Sequence, residues 1–174
     1  SSTEAVAYNV AIGDNALNST GTSAQSGTIA IGADAGTAIN HTDASGSVLI
    51  GHQAGAAITS GSANVAVGYQ AGYSIVGYSN NTCVGHQAGY FIKEHNNTAI
   101  GAYAMKGGTS GSFERNVGVG SSALERIQDA NNNVAIGYNS MAYSQSGVAN
   151  VAIGDGSLDA ADGDESYNIA IGRN

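Results

Sequence analysis

The sequence predicts an all-β fold, a parallel β-solenoid (β-roll) of about ten coils. Three observations support this prediction. A five-residue core recurs ten times in 174 residues, its positions alternate between branched apolar and small side chains, and the chain contains no proline. Alternation with a period of two is typical of a strand, and a constant repeat period is typical of a solenoid. Since proline cannot donate to a strand ladder, its absence suits strands that are paired on both sides.

The ten cores are nearly identical and evenly spaced. Each begins with Asn, Thr or Ser and ends with glycine, as in NVAIG at 133–137, and successive core glycines are 16 to 19 residues apart. The cores occupy residues 9–13, 28–32, 47–51, 64–68, 81–85, 97–101, 116–120, 133–137, 150–154 and 168–172. We therefore interpret residues 1–174 as a single repeat domain and expect it to be a segment of a longer fibre.

The alternation within each core predicts which side chains are buried. The residue before the glycine is always Ile or Val, whereas the residue before that is small in nine copies, with Leu49 as the exception. We expect the branched face to fill the coil interior and the small face to allow close approach of another chain. Many connectors carry a further Ile seven residues after the core glycine, which predicts a second, looser strand on the return side. These residues are Ile39, Ile58, Ile75, Ile92 and Ile127.

The first core position predicts a ladder of polar side chains. Asn occupies it in eight of the ten copies, and Thr28 and Ser47 occupy it in the other two. Asparagines stacked in successive coils can hydrogen-bond along the axis, as they do in cross-β stacks.

Composition excludes several classes of function. The net charge of −8, with only five Lys and Arg, argues against nucleic acid, whose binding depends on neutralising phosphates. No run approaches the ~20 apolar residues that span a bilayer, so we expect no membrane insertion. Because Cys83 is the only cysteine, no intrachain disulfide can form.

The repeat unit NxA[IV]GxxA, as in NVAVGYQAG at 64–72 and NTCVGHQAG at 81–89, resembles two groups of proteins. They are phage tail fibres and the heads of trimeric autotransporter adhesins. The resemblance covers residues 5–173, and the long steps between cores are more similar to the tail-fibre group. It implies a left-handed β-roll assembled as a homotrimer on a virion surface or an extracellular cell surface. The implied function is a structural or adhesive fibre segment that contacts cell-surface glycans, with neither enzyme activity nor a cofactor.

Two sets of side chains are candidate binding residues. Aromatic residues gather in the middle coils and are candidates for glycan binding, since exposed rings commonly bind sugars; packing at the coil seams is the alternative role. They are Tyr69, Tyr73, Tyr78, Tyr90, Phe91 and Tyr103. His52 and His86 share one repeat position, so in a trimer each could form a three-fold ring of imidazoles around a metal ion. Unrelated residues hold this position in other coils, which favours a solvent-facing role.

Two other functions remain open. A monomeric solenoid that binds an ordered surface such as ice requires a flat, regular outward array, whereas the variable positions differ from coil to coil. A tailspike-like polysaccharide depolymerase requires a groove lined by carboxylates, for which Asp34 and the acidic segment 159–165 are the available groups.

Overall fold

A computed structural model describes residues 8–18, 26–159 and 165–173. It confirms an all-β parallel solenoid, in which ten three-residue strands form one sheet and each strand pairs with the next along the chain. These strands make about nine turns, and no helix occurs within the described residues. The strands are β1 (Val10–Ile12), β2 (Ile29–Ile31), β3 (Val48–Ile50), β4 (Val65–Val67), β5 (Thr82–Val84), β6 (Thr98–Ile100), β7 (Val117–Val119), β8 (Val134–Ile136), β9 (Val151–Ile153) and β10 (Ile169–Ile171). We number each coil by the strand that begins it.

The middle residue of each strand points into the coil, and the branched residues on either side of it point outward. From coil 2 to coil 9 the middle residue is buried, including Leu49, Cys83 and Gly118. The first and third strand residues are only half-buried or exposed. The expectation that Ile and Val fill the interior is therefore wrong. The small face meets the coil interior rather than another chain.

The return side explains why the interior accepts only small residues from the strand. Ile39, Ile58, Ile75, Ile92 and Ile127 are fully buried there, as their spacing suggested. They do not lie in a second strand, because the connectors form turns. In these five coils the Ile side chain takes up much of the narrow interior, so a branched residue on most strands would overpack it.

The connectors turn through left-handed backbone yet remain in register with one another. The second residue after the core glycine has a positive φ even where it is Gln, as in Gln53 (57°) and Gln70 (52°). Backbone hydrogen bonds still join successive connectors, for example from the Gly55 N–H to the Ala71 carbonyl at 3.0 Å. Each coil is therefore hydrogen-bonded to the next on the return side as well as along the sheet.

The core glycines lie in a column, at positions where no residue with a side chain fits. Gly85 has a φ of 133°, and a Cβ placed on it would lie 2.6 Å from the carbonyl carbon and oxygen of Gly101. The neighbouring core glycines have the same conformation and the same close approach to the next coil. This contact explains why glycine ends the first nine cores, and the tenth, Gly172, shares their positive φ, 139°.

The predicted asparagine ladder is confirmed. The Asn81 N–H donates to Asn64 Oδ1 at 2.9 Å, and the Asn97 N–H donates to Asn81 Oδ1 at 2.9 Å. The Asn97 side-chain amide also donates to the Phe113 carbonyl at 2.9 Å. These asparagines are buried, and their side chains satisfy backbone groups that the turn before each strand leaves unpaired.

Candidate functional site

The outward face of the sheet is the first candidate surface. We call its two lines of side chains the outer rows: the first and the third residues of every strand. All of these residues are β-branched, and none is charged. Even in the middle of the sheet they remain accessible, with Ile100 38% exposed and Ile136 39% exposed. The first row is Val10, Ile29, Val48, Val65, Thr82, Thr98, Val117, Val134, Val151 and Ile169, and the second is Ile12, Ile31, Ile50, Val67, Val84, Ile100, Val119, Ile136, Ile153 and Ile171.

The outer rows make a long, narrow, apolar surface. Ten strands at about 4.8 Å spacing, each three residues long, give a face of roughly 45 by 10 Å. That area is comparable with the largest apolar patch of a typical monomer, and patches of this size are often functional.

A second candidate surface is a column of stacked rings at the corner after the strands. We call His52, Tyr69, His86 and Tyr103 the ring column. The His52 and Tyr69 ring centroids are 5.5 Å apart, and those of Tyr69 and His86 are 5.1 Å apart, with interplanar angles of 9° and 16°. Tyr103 meets His86 edge-on at 5.1 Å. Both faces of the Tyr69 ring are therefore covered, and its 45% exposure comes chiefly from its edge.

A row of glutamine side chains lies next to the ring column. Gln70 Nε2 donates to Gln53 Oε1 at 2.7 Å, and Gln87 Nε2 donates to Gln70 Oε1 at 2.8 Å. This row was not predicted, although its signal was present in the sequence: Gln follows His or Tyr at the same repeat position in three successive coils. Rings and amides together join coils 3 to 5 along the corner.

The other predicted glycan-binding residues form two separate clusters. Tyr73 and Tyr90 stack at 4.9 Å with an interplanar angle of 8°, and Phe91 meets Tyr90 edge-on at 4.5 Å. Burial raises the pKa of the Tyr90 phenol, and the nearby phenols of Tyr73 and Tyr69 raise it further.

Tyr78 lies apart from these rings. It meets His95 edge-on at 5.4 Å. His95 Nδ1 also accepts a hydrogen bond from the Ser79 N–H at 3.0 Å. The six aromatic residues predicted to bind glycan are thus distributed among the ring column, the Tyr73–Tyr90–Phe91 cluster and the Tyr78–His95 pair. Each of the six contacts at least one other ring, and Tyr78 also packs against the hydrophobic core.

The predicted metal candidates do not converge within one chain. The Tyr69 ring lies between His52 and His86, so the two imidazoles cannot bind one ion together. Among the described residues, no group of three or more His, Cys, Asp or Glu side chains is placed to hold a metal ion. Cys83 lies inside the coil, where burial raises the pKa of its thiol to about 12.

The carboxylates considered for a depolymerase are only partly described. Asp34 Oδ1 accepts a hydrogen bond from the Asn15 side-chain amide at 3.3 Å at the corner of coil 2. Residues 160–164 of the acidic segment lie outside the described residues. A cavity at the last coil is lined by Ser157, Leu158 and residues 169–173.

Comparisons with protein-family models, curated proteins and solved structures found no match to this chain. In the described residues, no helix has the length and apolar character needed to cross a membrane.

Proposed function

We propose that this chain is a rigid structural segment of a fibre, which assembles as a homotrimer through its outer rows. The observation that carries the proposal is the outward direction of two rows of uncharged, β-branched side chains that run through all ten strands. The resemblance of the repeat to phage tail fibres and adhesin heads supports the same assembly. It further implies a left-handed coil and a place on a virion or cell surface.

A second copy of the chain is the partner that fits the outer rows best. Every coil presents its pair of side chains at the strand spacing, about 4.8 Å, and another copy has the same spacing along its whole length. The net charge of −8 does not oppose this contact locally, because no charged residue lies in either row. A residue such as Ile136, 39% exposed, would gain about 0.5–1 kcal/mol on losing its remaining water contact.

The outer rows also favour one alternative, a monomer that binds an ordered surface such as ice. The branched residues were expected inside the coil, which left only irregular positions to face outward. With the rows facing outward, each coil presents a pair of branched side chains at the same positions, which supplies the regular outward array. The two functions differ in assembly, because the trimer buries the rows and the monomer leaves them in water.

Molar mass in solution tests the proposal. We expect light scattering after size exclusion to give about three times the chain mass of 17.2 kDa at micromolar concentration. Ile136→Lys places a charge within an outer row and should shift the population to monomers. The control Gln145→Lys adds the same charge on an exposed connector and should leave the trimer intact. A native chain that remains monomeric would overturn the proposal, and thermal hysteresis of ice growth would then test the alternative.

Adhesion to glycans is a separate part of the proposal. Rings bind sugars through their faces, and ring stacking covers both faces of Tyr69 and one face each of Tyr73 and Tyr90. We therefore expect the middle coils to act as a shaft, and expect the trimer to bind nothing on a glycan array. Binding that disappears in both Tyr78→Ala and Tyr90→Ala would instead assign adhesion to these rings. Turnover of a polysaccharide by the native chain would establish the depolymerase.

A further inference from the structure

Two hydroxyl groups interrupt the outer rows. Thr82 and Thr98 are the only polar residues among the first and third positions of the ten described strands. They begin β5 and β6 and are partners in the sheet register. Their strand neighbours Cys83 and Ala99 are buried inside the coil, so both threonine side chains face outward. Neither hydroxyl has a hydrogen-bond partner within the part of the chain that the structure describes.

Uniform outer rows would leave the alignment of neighbouring chains poorly determined. If one chain slid along another by a single coil, Val and Ile would again meet Val and Ile. Only the contacts of the end coils would be lost. Solenoid surfaces built from one repeated pair of side chains share this weakness with flat, regular strands, which are prone to slippage.

We propose that Thr82 and Thr98 set the axial alignment of the chains, an inference that rests on the trimer proposed above. In the aligned trimer, each chain brings its two hydroxyls to the same level, where they can hydrogen-bond to one another or to shared water. A chain displaced by two coils or more places its hydroxyls against apolar side chains of its neighbours, where they lack partners. A polar residue in an otherwise apolar coiled-coil seam fixes register for the same reason.

Cysteine cross-linking detects the displacement. Ile100 and Ile136 lie in the same outer row two coils apart, about 9.6 Å along the axis. Disulfides require Cα atoms within about 7 Å, so Ile100→Cys and Ile136→Cys chains cannot cross-link with each other in an aligned trimer. They can do so when one chain has slipped by two coils. The native Cys83 does not compete, because it is buried and its thiol has a pKa of about 12.

The test mixes the two cysteine chains, one of them tagged, in three backgrounds. In the native background we expect cross-links between like chains only. In Thr82→Val/Thr98→Val we expect trimers of unchanged molar mass, in which cross-links between unlike chains rise on the order of tenfold. Adding Val48→Thr and Val65→Thr moves the hydroxyl pair to β3 and β4, which are also register partners, and should restore the native pattern.

Each outcome decides between the two proposals. If the native chain is not a trimer, the proposed assembly fails, and the alignment role fails with it. If Thr82→Val/Thr98→Val remains a trimer with the native cross-linking pattern, the trimer stands and the threonine role is refuted, as expected if the connectors set the alignment. Loss of the trimer in this variant, or failure of the moved pair to restore the pattern, would also refute it.

Discussion

The asparagine ladder predicts that one interior amide carries a large share of local stability. Asn116 Nδ2 donates to the Ala130 carbonyl at 2.8 Å, and Asn116 Oδ1 accepts from the Asn133 N–H at 2.9 Å. Asn116→Ala leaves both of these backbone groups buried without a partner, at a cost of about 1–3 kcal/mol each. With the small cavity that remains, we expect a loss of about 3–5 kcal/mol in the free energy of unfolding.

Two variants serve as controls. Asn168 occupies the same position in the last coil but is exposed, so water can replace its bonds, and Asn168→Ala should cost less than about 1 kcal/mol. Asn116→Ser should recover part of the loss, because Ser47 already serves the ladder by accepting from the Asn64 N–H at 3.2 Å.

Urea denaturation of the native chain and the three variants measures these differences. The comparison requires that all four proteins show the same slope of unfolding free energy against urea concentration. A different slope would indicate that part of the repeat array unfolds separately. If Asn116→Ala is no more destabilising than Asn168→Ala, the ladder does not supply obligatory partners and this reasoning is wrong.

Two further predictions concern the core glycines and the buried thiol. Gly85→Ala should cost at least about 3 kcal/mol or prevent folding, because its φ is 133° and its Cβ would meet the next coil. Gly46→Ala, with a φ of 74° and open space around it, should cost only about 1–2 kcal/mol; thermal unfolding of both variants compares them. Cys83 should resist thiol reagents at pH 8 in the folded chain and react in urea. Because burial raises its pKa from 9.0 to about 12, its contribution to stability is complete below pH 9 and falls as pH rises toward 12. Urea unfolding at pH 8 and 10 should show this fall in the native chain and a smaller one in Cys83→Ala.

The positions of the strands could be predicted from the sequence, because the repeat itself carries the information. Glycine is required wherever successive coils approach within a few ångströms, and Asn is required wherever a buried turn needs donors and acceptors. Both requirements recur along the chain, so a single sequence displays the glycine ten times and the asparagine eight times.

The conformation of the connectors could not be predicted in the same way. Left-handed backbone usually indicates glycine, yet Gln53, Gln70 and Gln87 adopt it here. Stacking on neighbouring coils imposes this conformation. The sequence of a single repeat does not show it. Ile58 and its equivalents therefore indicated a strand where the structure has a turn.

The ring column was only partly visible in the sequence. His52, Tyr69 and His86 share one repeat position, so their proximity followed from the period. Tyr103 lies one residue later in its repeat and still contacts His86 edge-on. Its participation depends on side-chain direction at a corner, which the period does not determine.

The inverted faces have a physical origin in the narrow interior. In the interior a large side chain lies next to a glycine. A Cβ on Gly55 would lie 2.7 Å from Leu49 Cδ2, and a Cβ on Gly118 would lie 2.9 Å from Met105 Cγ. Leu49 and Met105 both lie opposite glycine, so the strand and its surroundings together contribute little volume. Branched side chains favour strands, and with no space inside they can only face outward. The same restriction that fills the coil with alanine thus creates the apolar outer rows. A wider solenoid, with room for Val and Ile inside, would lack these rows and with them the surface of the proposed trimer.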